Sequence, residues 1–124
     1  MLSPLAADHV QRPRNVGPLE GATHEGCCGE PGDGPFVKFW LHVDEDMITH
    51  AAYQTHGCPS SIASASMLAQ LAIGHPLNWS QEITAKDLLT ILGGLPEGKE
   101  KFADMAVRAL KSASQNKLRK VTVQ

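Results

Sequence analysis

The sequence predicts an α+β protein in which a small antiparallel β-sheet of about three strands is covered on one face by helices. Two observations lead to this class. Apolar and polar residues alternate over residues 36–43, which is typical of a half-buried strand, and apolar residues recur at every third or fourth position after residue 59, which is typical of helices. With 124 residues, the chain is expected to form one domain over 1–124.

The first part of the chain is expected to contain one helix and a long loop region. Ser3-Pro4 is a helix-start signal, because Ser accepts hydrogen bonds from free amides and Pro suits the first turn, so a helix is predicted over about residues 4–11. Residues 13–35 are rich in Gly, Pro and Asn, which predicts a loop region with one short strand around Ala22–Glu25.

An antiparallel hairpin is predicted next. The first strand, residues 36–43, has one apolar face and a second face that carries Lys38, Trp40 and His42. Residues 44–46 are predicted to form a polar turn and residues 47–56 the second strand. The inward face of the first strand comprises Val37, Phe39, Leu41 and Val43.

The remainder of the chain is predicted to be helical. One helix is expected over Pro59–Gly74, and a capping box at residues 84–87 is expected to open a short helix that ends at Gly93-Gly94. A final long helix is predicted from Pro96 or Glu97 to about Asn116. The buried stripes of the two longer helices are Ile62, Ala65, Leu68, Ala69 and Ala72, and Phe102, Met105, Ala106, Ala109, Leu110 and Ala113.

Charge and hydropathy exclude several classes of protein. The formal net charge is −2, which argues against a generic nucleic-acid binder, and no apolar run approaches the roughly 20 residues that cross a bilayer. The first residues also lack the features of a secretory signal. We therefore expect a soluble, cytoplasmic protein with no nucleic-acid or membrane partner, either a monomer or a weak homo-oligomer.

The charge is unevenly distributed along the chain. Residues 1–98 carry a net −7 and residues 99–124 a net +5. A solvated helix with cations near its C-terminal end explains this pattern, and a docking strip for an acidic partner is the less expected alternative. The basic residues of the last segment are Lys99, Lys101, Arg108, Lys111, Lys117, Arg119 and Lys120.

Three cysteines make a metal or reactive-thiol site the leading functional hypothesis. Cys27 and Cys28 are expected in a Gly-rich loop before a strand, and Cys58 at the N-terminus of a helix, where free amides and the helix dipole favour the thiolate. An odd number of cysteines cannot pair fully within one chain, and a bridge between adjacent cysteines would be strained. Further potential ligands beside them are Glu30, Asp33 and His56.

Each of these residues also has a purely structural explanation. A free cysteine is often only a small buried residue, and this explanation is the better one for any of the three taken alone. Two Gly-flanked cysteine motifs with carboxylates beside them favour a metal site over that explanation. The remaining histidines are individually interpreted as surface or core-edge residues: His9, His24, His42, His50 and His75.

The motifs resemble those of the iron–sulfur cluster assembly scaffolds of the IscU type, equivalent to the N-terminal domain of NifU. Residues 8–17 (DHVQRPRNVG) are similar to the opening signature, and Cys28-Gly29-Glu30 resembles the family's Cys-Gly-Asp. Residues 55–66 (THGCPSSIASAS) are similar to the second cysteine motif and its helix. The resemblance covers about residues 8–113 and implies the same α+β fold.

The resemblance implies a non-enzymatic scaffold with several partners. Such a scaffold takes sulfur from a cysteine desulfurase and iron from an iron donor, builds a [2Fe–2S] cluster on three cysteines and an Asp or His, and passes it to acceptor apoproteins. Leu95–Lys99 partly resembles the segment that a specialised chaperone grips in some members. Cys28, Cys58 and Glu30 are the residues to which the cluster or iron is assigned.

The chain departs from the family at three points of the expected site. Lys101-Phe102 occupies the place of the third cysteine and the His that often precedes it, and Phe102 fits the buried stripe. Glu30 stands for the family's Asp, and Asp33 is a second acid in a longer loop. Cys27 is an additional thiol, which is considered either as the missing ligand or as a relay of sulfur to Cys28.

Two other functions remain open at this point. The first is a Zn²⁺- or Fe²⁺-binding accessory protein or regulator of a cysteine desulfurase, because Zn²⁺ accepts two thiolates with a carboxylate and a water or His. The second is a sulfur-transfer enzyme with Cys58 as nucleophile, which is ranked last because no orienting His–acid pair is identifiable from the sequence.

Overall fold

The fold is built on one antiparallel sheet, as a computed structural model that describes residues 1–30 and 32–118 shows. The strands β1 (His24–Cys28), β2 (Phe36–Asp44) and β3 (Met47–His56) lie in the order β1-β2-β3. The helices are α1 (Pro4–Gln11), α2 (Pro59–Ala72), α3 (Trp79–Glu82), α4 (Ala85–Leu92) and α5 (Lys101–Ser114). The predicted α+β class and the antiparallel hairpin are confirmed.

The core lies between the sheet and two helices. Val37, Phe39 and Leu41 of β2 are fully buried on one face of the sheet, as the alternation predicts, and α2 and α5 pack over that face. α2 consists mainly of Ala and Ser and is buried on almost every side, so the narrow stripe predicted for it is only part of its buried surface. Ile62, which was placed in that stripe, is only half-buried.

The first strand lies further along the chain than the predicted Ala22–Glu25. β1 runs from His24 to Cys28, so Cys27 and Cys28 lie within a strand rather than in the loop before one. Gly26 within this strand lets α5 come close, because a Cβ atom at that position would lie 2.2 Å from the Ala113 backbone nitrogen. A glycine in this strand therefore marks a close backbone approach.

The final helix also begins later than predicted. α5 starts at Lys101, because Gly98 has φ +83° and the Lys99 amide donates 2.9 Å to the Pro96 carbonyl, which closes a turn before the helix. Its buried stripe is confirmed except that Met105 is only half-buried. The short helix α3 was not predicted. Arg119 and Lys120 of the basic segment lie outside the described residues.

The opening motif of the chain anchors the N-terminal segment to α2 and the sheet. His9 is 1% exposed, and its Nδ1 lies 2.7 Å from Ser66 Oγ, which also accepts from the Arg14 amide at 2.9 Å. Gly17 packs against Trp40, since a Cβ atom on Gly17 would lie 2.9 Å from the indole. This contact buries Trp40, although the alternation placed it on the more polar face.

The capping box predicted for α4 is confirmed. The Thr84 hydroxyl accepts from the Asp87 amide at 3.1 Å, and the Asp87 carboxylate accepts from the Thr84 amide at 3.1 Å. Gly93 ends the helix in the left-handed conformation with φ +80°. Both ends of α4 are therefore specified by local sequence.

We expect Thr84→Ala to lower the free energy of unfolding by about 1 kcal/mol, because it leaves the first amides of α4 without their side-chain acceptor. Urea unfolding followed by circular dichroism measures the change. Thr84→Ser, which keeps the hydroxyl, is the matched control and should lose much less. Equal losses for the two variants would show that the cap contributes nothing measurable.

Candidate metal and cluster site

Three segments of the chain meet at one end of the sheet. β1 ends at Cys28, β2 begins at Phe36, and β3 ends at His56, and the antiparallel register places these positions side by side. Cys58 follows β3 by two residues and lies at the same end. We call the sheet end formed by Cys28, Phe36, His56 and Cys58 the cysteine end.

The two adjacent cysteines point to opposite faces of the sheet. Cys28 pairs with Val37, whose side chain is fully buried under the helices, and Cys28 itself packs against the core. Cys27 pairs with Lys38 and therefore lies on the other face, because successive residues of a strand alternate. Its Sγ donates to the Gly29 carbonyl at 3.3 Å. The structure thus separates Cys27 from the face that carries Cys28.

Cys58 is the N-cap residue of α2, as the sequence predicts, and Pro59 occupies the first helical position. Burial alone would raise the pKa of the Cys58 thiol, but the neighbouring backbone groups of Ser61 and Ser60, and then the charge of Lys99, outweigh burial and lower that pKa. For Cys27, burial is the dominant cause and raises the pKa, against a smaller opposite effect of Lys38. Of these two thiols, Cys58 is the better thiolate donor.

The junction between β3 and α2 is fixed by two hydroxyl groups that the sequence analysis did not single out. Thr55 Oγ1 donates to the Phe36 carbonyl at 2.8 Å and shares a short hydrogen bond with Ser61 Oγ. Since the Thr55 hydrogen is used by the carbonyl, Ser61 is the donor in the second bond. These contacts tie the first turn of α2 to β2 and β3 and so set the position of Cys58.

Phe102 occupies the cysteine end from the side of α5. It is 5% exposed, and its Cε1 atom would lie 3.5 Å from a Cβ atom on Gly57, the residue before Cys58. The ammonium groups of Lys99 and Lys101 lie 5.9 and 5.4 Å from the centroid of its ring. The prediction that Phe102 is buried is confirmed, and an aromatic ring flanked by two cations fills this place.

The two acids of the loop after β1 share one turn at the cysteine end. The Asp33 amide donates to the Glu30 carbonyl at 3.0 Å, and both side chains are exposed. Within residues 1–30 and 32–118, no three side chains of His, Cys, Asp or Glu lie close enough to hold one metal ion. The predicted ligands Cys28, Cys58, Glu30 and Asp33 are thus at one end of the molecule but are not arranged as a coordination sphere.

Three of the basic residues of the last segment differ in their surroundings. Lys99 and Lys101 are exposed beside Phe102 at the cysteine end. Arg108 lies further along α5 and is paired with Asp104 at 2.8 Å. Leu95–Lys99 forms the turn that precedes α5, with Leu95 and Pro96 partly exposed.

Comparison with known proteins identifies the family. The protein-family model described as "NifU-like N terminal domain" matches residues 3–123 of the chain. The chain belongs to this family. It is 37% identical over 115 residues to the iron-sulfur cluster assembly scaffold protein IscU of Aquifex aeolicus, covering 91% of this chain and 73% of that protein.

A second relative agrees with this assignment, and a solved structure agrees with the fold. The chain is 35% identical over 120 residues to the iron-sulfur cluster assembly scaffold protein IscU 1 of Archaeoglobus fulgidus, covering 97% of this chain and 78% of that protein. A crystal structure of a hypothetical protein superposes with a TM-score of 0.71 at 26% identity, covering 90% and 95% of the two chains. Within residues 1–30 and 32–118, no helix has the length and hydrophobicity to cross a membrane.

Proposed function

We propose that this chain is an iron–sulfur cluster assembly scaffold that builds a labile [2Fe–2S] cluster at the cysteine end. The observation that carries the proposal is that Cys28 and Cys58 lie at the same end of the sheet, with Cys58 at a helix N-terminus that favours its thiolate. Thiolates are the ligands that iron–sulfur clusters use in proteins. The relatives named as IscU scaffolds support this assignment.

The ligand set that we propose is Cys28 and Cys58 with a carboxylate from Glu30 or Asp33. Both acids are exposed in the segment that follows β1, and we propose that this segment rearranges to bring a carboxylate to the thiols. A carboxylate is a harder ligand than a thiolate and holds the cluster less firmly. Two thiolates and one carboxylate therefore suit a cluster that is cargo to be passed on.

Assembly requires a sulfur donor, an iron donor and a reductant besides this chain. Sulfur comes from the persulfide of a cysteine desulfurase, and each persulfide sulfur takes up two electrons to become sulfide. For one [2Fe–2S]²⁺ cluster, two Fe²⁺ ions give up one electron each as they become Fe³⁺, and a reductant supplies the other two electrons. An iron donor supplies Fe²⁺, and acceptor apoproteins receive the finished cluster. In this proposal the chain binds, orients and releases the cluster and performs no catalytic step of its own.

The buried phenylalanine favours a second candidate function. Phe102 is buried in the place of a third thiol, which leaves Cys28 and Cys58 as the two thiols of the proposed ligand set. Two thiolates with a carboxylate and a water suit Zn²⁺ or Fe²⁺. The alternative is therefore an accessory protein or regulator of a cysteine desulfurase that binds a single metal ion and no stable cluster.

Anaerobic reconstitution distinguishes the two functions. The metal-free chain is incubated with Fe²⁺, a cysteine desulfurase, cysteine and dithiothreitol, and is then desalted and analysed for iron, acid-labile sulfide and visible absorption. Equal amounts of iron and sulfide with thiolate-to-iron charge-transfer bands are expected. Iron bound without sulfide would favour the accessory protein and contradict the scaffold.

We also expect the desulfurase to dock on the lysines of the cysteine end. Exposed charges act mainly on the rate of association and are screened over about 10 Å at 0.1 M salt. Lys101→Glu should therefore slow association about tenfold at low salt, with a smaller effect on dissociation. Surface plasmon resonance at two ionic strengths measures both rates.

The matched control for docking is Lys117→Glu, which makes the same charge change near His24 at the start of β1, away from the cysteine end. Its association rate should stay close to that of the wild type. Binding that does not depend on salt, or equal effects of the two variants, would identify the lysines of the cysteine end as ordinary solvated residues.

A further inference from the structure

A groove lies at the hairpin turn, at the opposite end of the sheet from the cysteine end. Its main part is a cavity of about 790 Å³ between the turn that joins β2 to β3 and the segment that enters β1. Val43 and Leu77 line this cavity with apolar side chains, and Glu45 and Asp46 line it from the turn. A second cavity of about 430 Å³, beside the end of α5, shares Asp46 and Leu77 with the first. We call the two cavities together the hairpin groove.

The carboxylates of the hairpin groove form no ion pair within the part of the chain that the structure describes. Glu45 and Asp46 are both exposed, and neither is paired with a described Lys, Arg or His. Asp44, directly before them, is a third exposed acid. Neighbouring carboxylates repel one another, so a cation bound beside them stabilises the turn. The groove therefore fits an occupant that carries both positive charge and apolar side chains.

The last described residues lie in the wall of this groove. After α5, residues 116–118 run antiparallel to the start of β1. The Leu118 amide donates to the Thr23 carbonyl at 2.7 Å, and Lys117 pairs with His24. Lys117 and Leu118 themselves line the groove. Because one residue advances the chain by at most about 3.6 Å, the next residue begins at the groove.

The next six residues have the composition that the groove fits. Residues 119–124 lie outside the described residues, and their sequence is RKVTVQ. Two cations come first, valines follow at alternate positions, and no acid is present. This combination of positive charge and apolar side chains is complementary to carboxylates that lie beside Val43 and Leu77.

We propose that the hairpin groove is the docking site of residues 119–124 of the same chain, with the two cations of this segment against Glu45 and Asp46. The segment covers the apolar side chains of the groove and neutralises the turn. Docking needs no rearrangement of the described fold, because residues 116–118 already pair with β1 and lead into the groove. The proposal is independent of the scaffold function and of the cysteine end.

A double-mutant cycle in the full chain tests this docking, with urea unfolding as the measurement. The turn is changed by Glu45→Lys with Asp46→Asn, because Asn tolerates the φ of +64° at that position. Arg119→Glu with Lys120→Glu should lower the equilibrium constant of folding about fivefold at low salt when the turn carries its own acids. The same reversal should cause no loss when the turn is changed. If the changed turn does not fold, Glu45→Gln with Asp46→Asn removes both charges instead.

The matched control is Arg12→Glu with Lys86→Glu, which makes the same change of net charge at exposed positions that do not line the groove. Its effect should be the same with either turn. An effect of the tail reversal that does not depend on the turn, or a control that depends on it equally, would overturn the proposal. The cycle is repeated at two protein concentrations. Coupling that grows with concentration would assign the groove to a second copy of the chain and would also overturn it.

Discussion

Replacing Cys28 or Cys58 by alanine is expected to abolish stable binding of the cluster, whereas Cys27→Ala should leave most of it. Cys28 lies on the core-facing side of the sheet at the cysteine end, and Cys58 caps α2 at the same end. Each substitution therefore removes one of the two thiolates to which we assign the cluster. Cys27 lies on the opposite face beside Lys38. Iron and sulfide bound per chain after reconstitution measure the effect.

Cys27→Ala is the matched control for this experiment, because it removes the same atom one residue away from Cys28. Circular dichroism and the urea midpoint show that each variant is folded. Cluster content near the wild-type value in Cys28→Ala or Cys58→Ala would remove that residue from the site. A loss in Cys27→Ala as complete as in Cys28→Ala would mean that the additional thiol is a ligand or a necessary sulfur relay.

Phe102→Cys is expected to lengthen the lifetime of the cluster while it destabilises the fold. The ring of Phe102 is buried beside Gly57, the residue before Cys58, so we expect a thiol at this position to supply a third soft ligand. Truncating a buried phenylalanine typically costs about 3 kcal/mol, because it leaves a cavity. Cluster decay in the presence of a chelator and urea unfolding of the metal-free chain measure the two effects.

The matched control is Phe102→Ala, which makes a similar cavity without a thiol. Both variants should lose comparable stability, and only Phe102→Cys should retain the cluster for longer than the wild type. If the two variants release the cluster at the same rate, position 102 does not face the cluster, and the two lysines beside it have no role in holding it.

Features that depend on local chemistry could be predicted from the sequence. The capping box of α4 and its left-handed Gly93 involve residues close together in the chain, and the hairpin follows from alternation over one strand. The position of Cys58 as N-cap belongs to the same group, because Pro59 marks the first turn of α2. Sequence motifs of this kind determine short segments almost without help from the rest of the fold.

Features that depend on long-range packing could not be predicted in the same way. β1 extends through Cys28 and contains Gly26, which packs closely against the distant helix α5, whereas a glycine in the sequence indicates a loop. The opposite orientations of Cys27 and Cys28 follow from the pairing with Lys38 and Val37, which no local pattern specifies. The choice between two adjacent thiols therefore required the register of the sheet.

The histidine pair shows the same dependence on register. Taken alone in the sequence, His42 and His50 are interpreted as surface or core-edge residues. Antiparallel pairing brings them opposite each other, with their ring centroids 5.8 Å apart. This contact follows only from the strand pairing.

Transfer of the assembled cluster to an apo-acceptor tests the central claim most directly. The loaded chain is mixed under anaerobic conditions with an apo-ferredoxin of the [2Fe–2S] type and a chelator that traps free iron, and holo-ferredoxin is followed by circular dichroism in the visible range. The scaffold proposal predicts that the cluster reaches the ferredoxin faster than it forms from free Fe²⁺ and sulfide at the same concentrations, and that a chain with both Cys28 and Cys58 replaced by alanine transfers none. Transfer no faster than from free ions, or complete capture of the iron by the chelator, would contradict it.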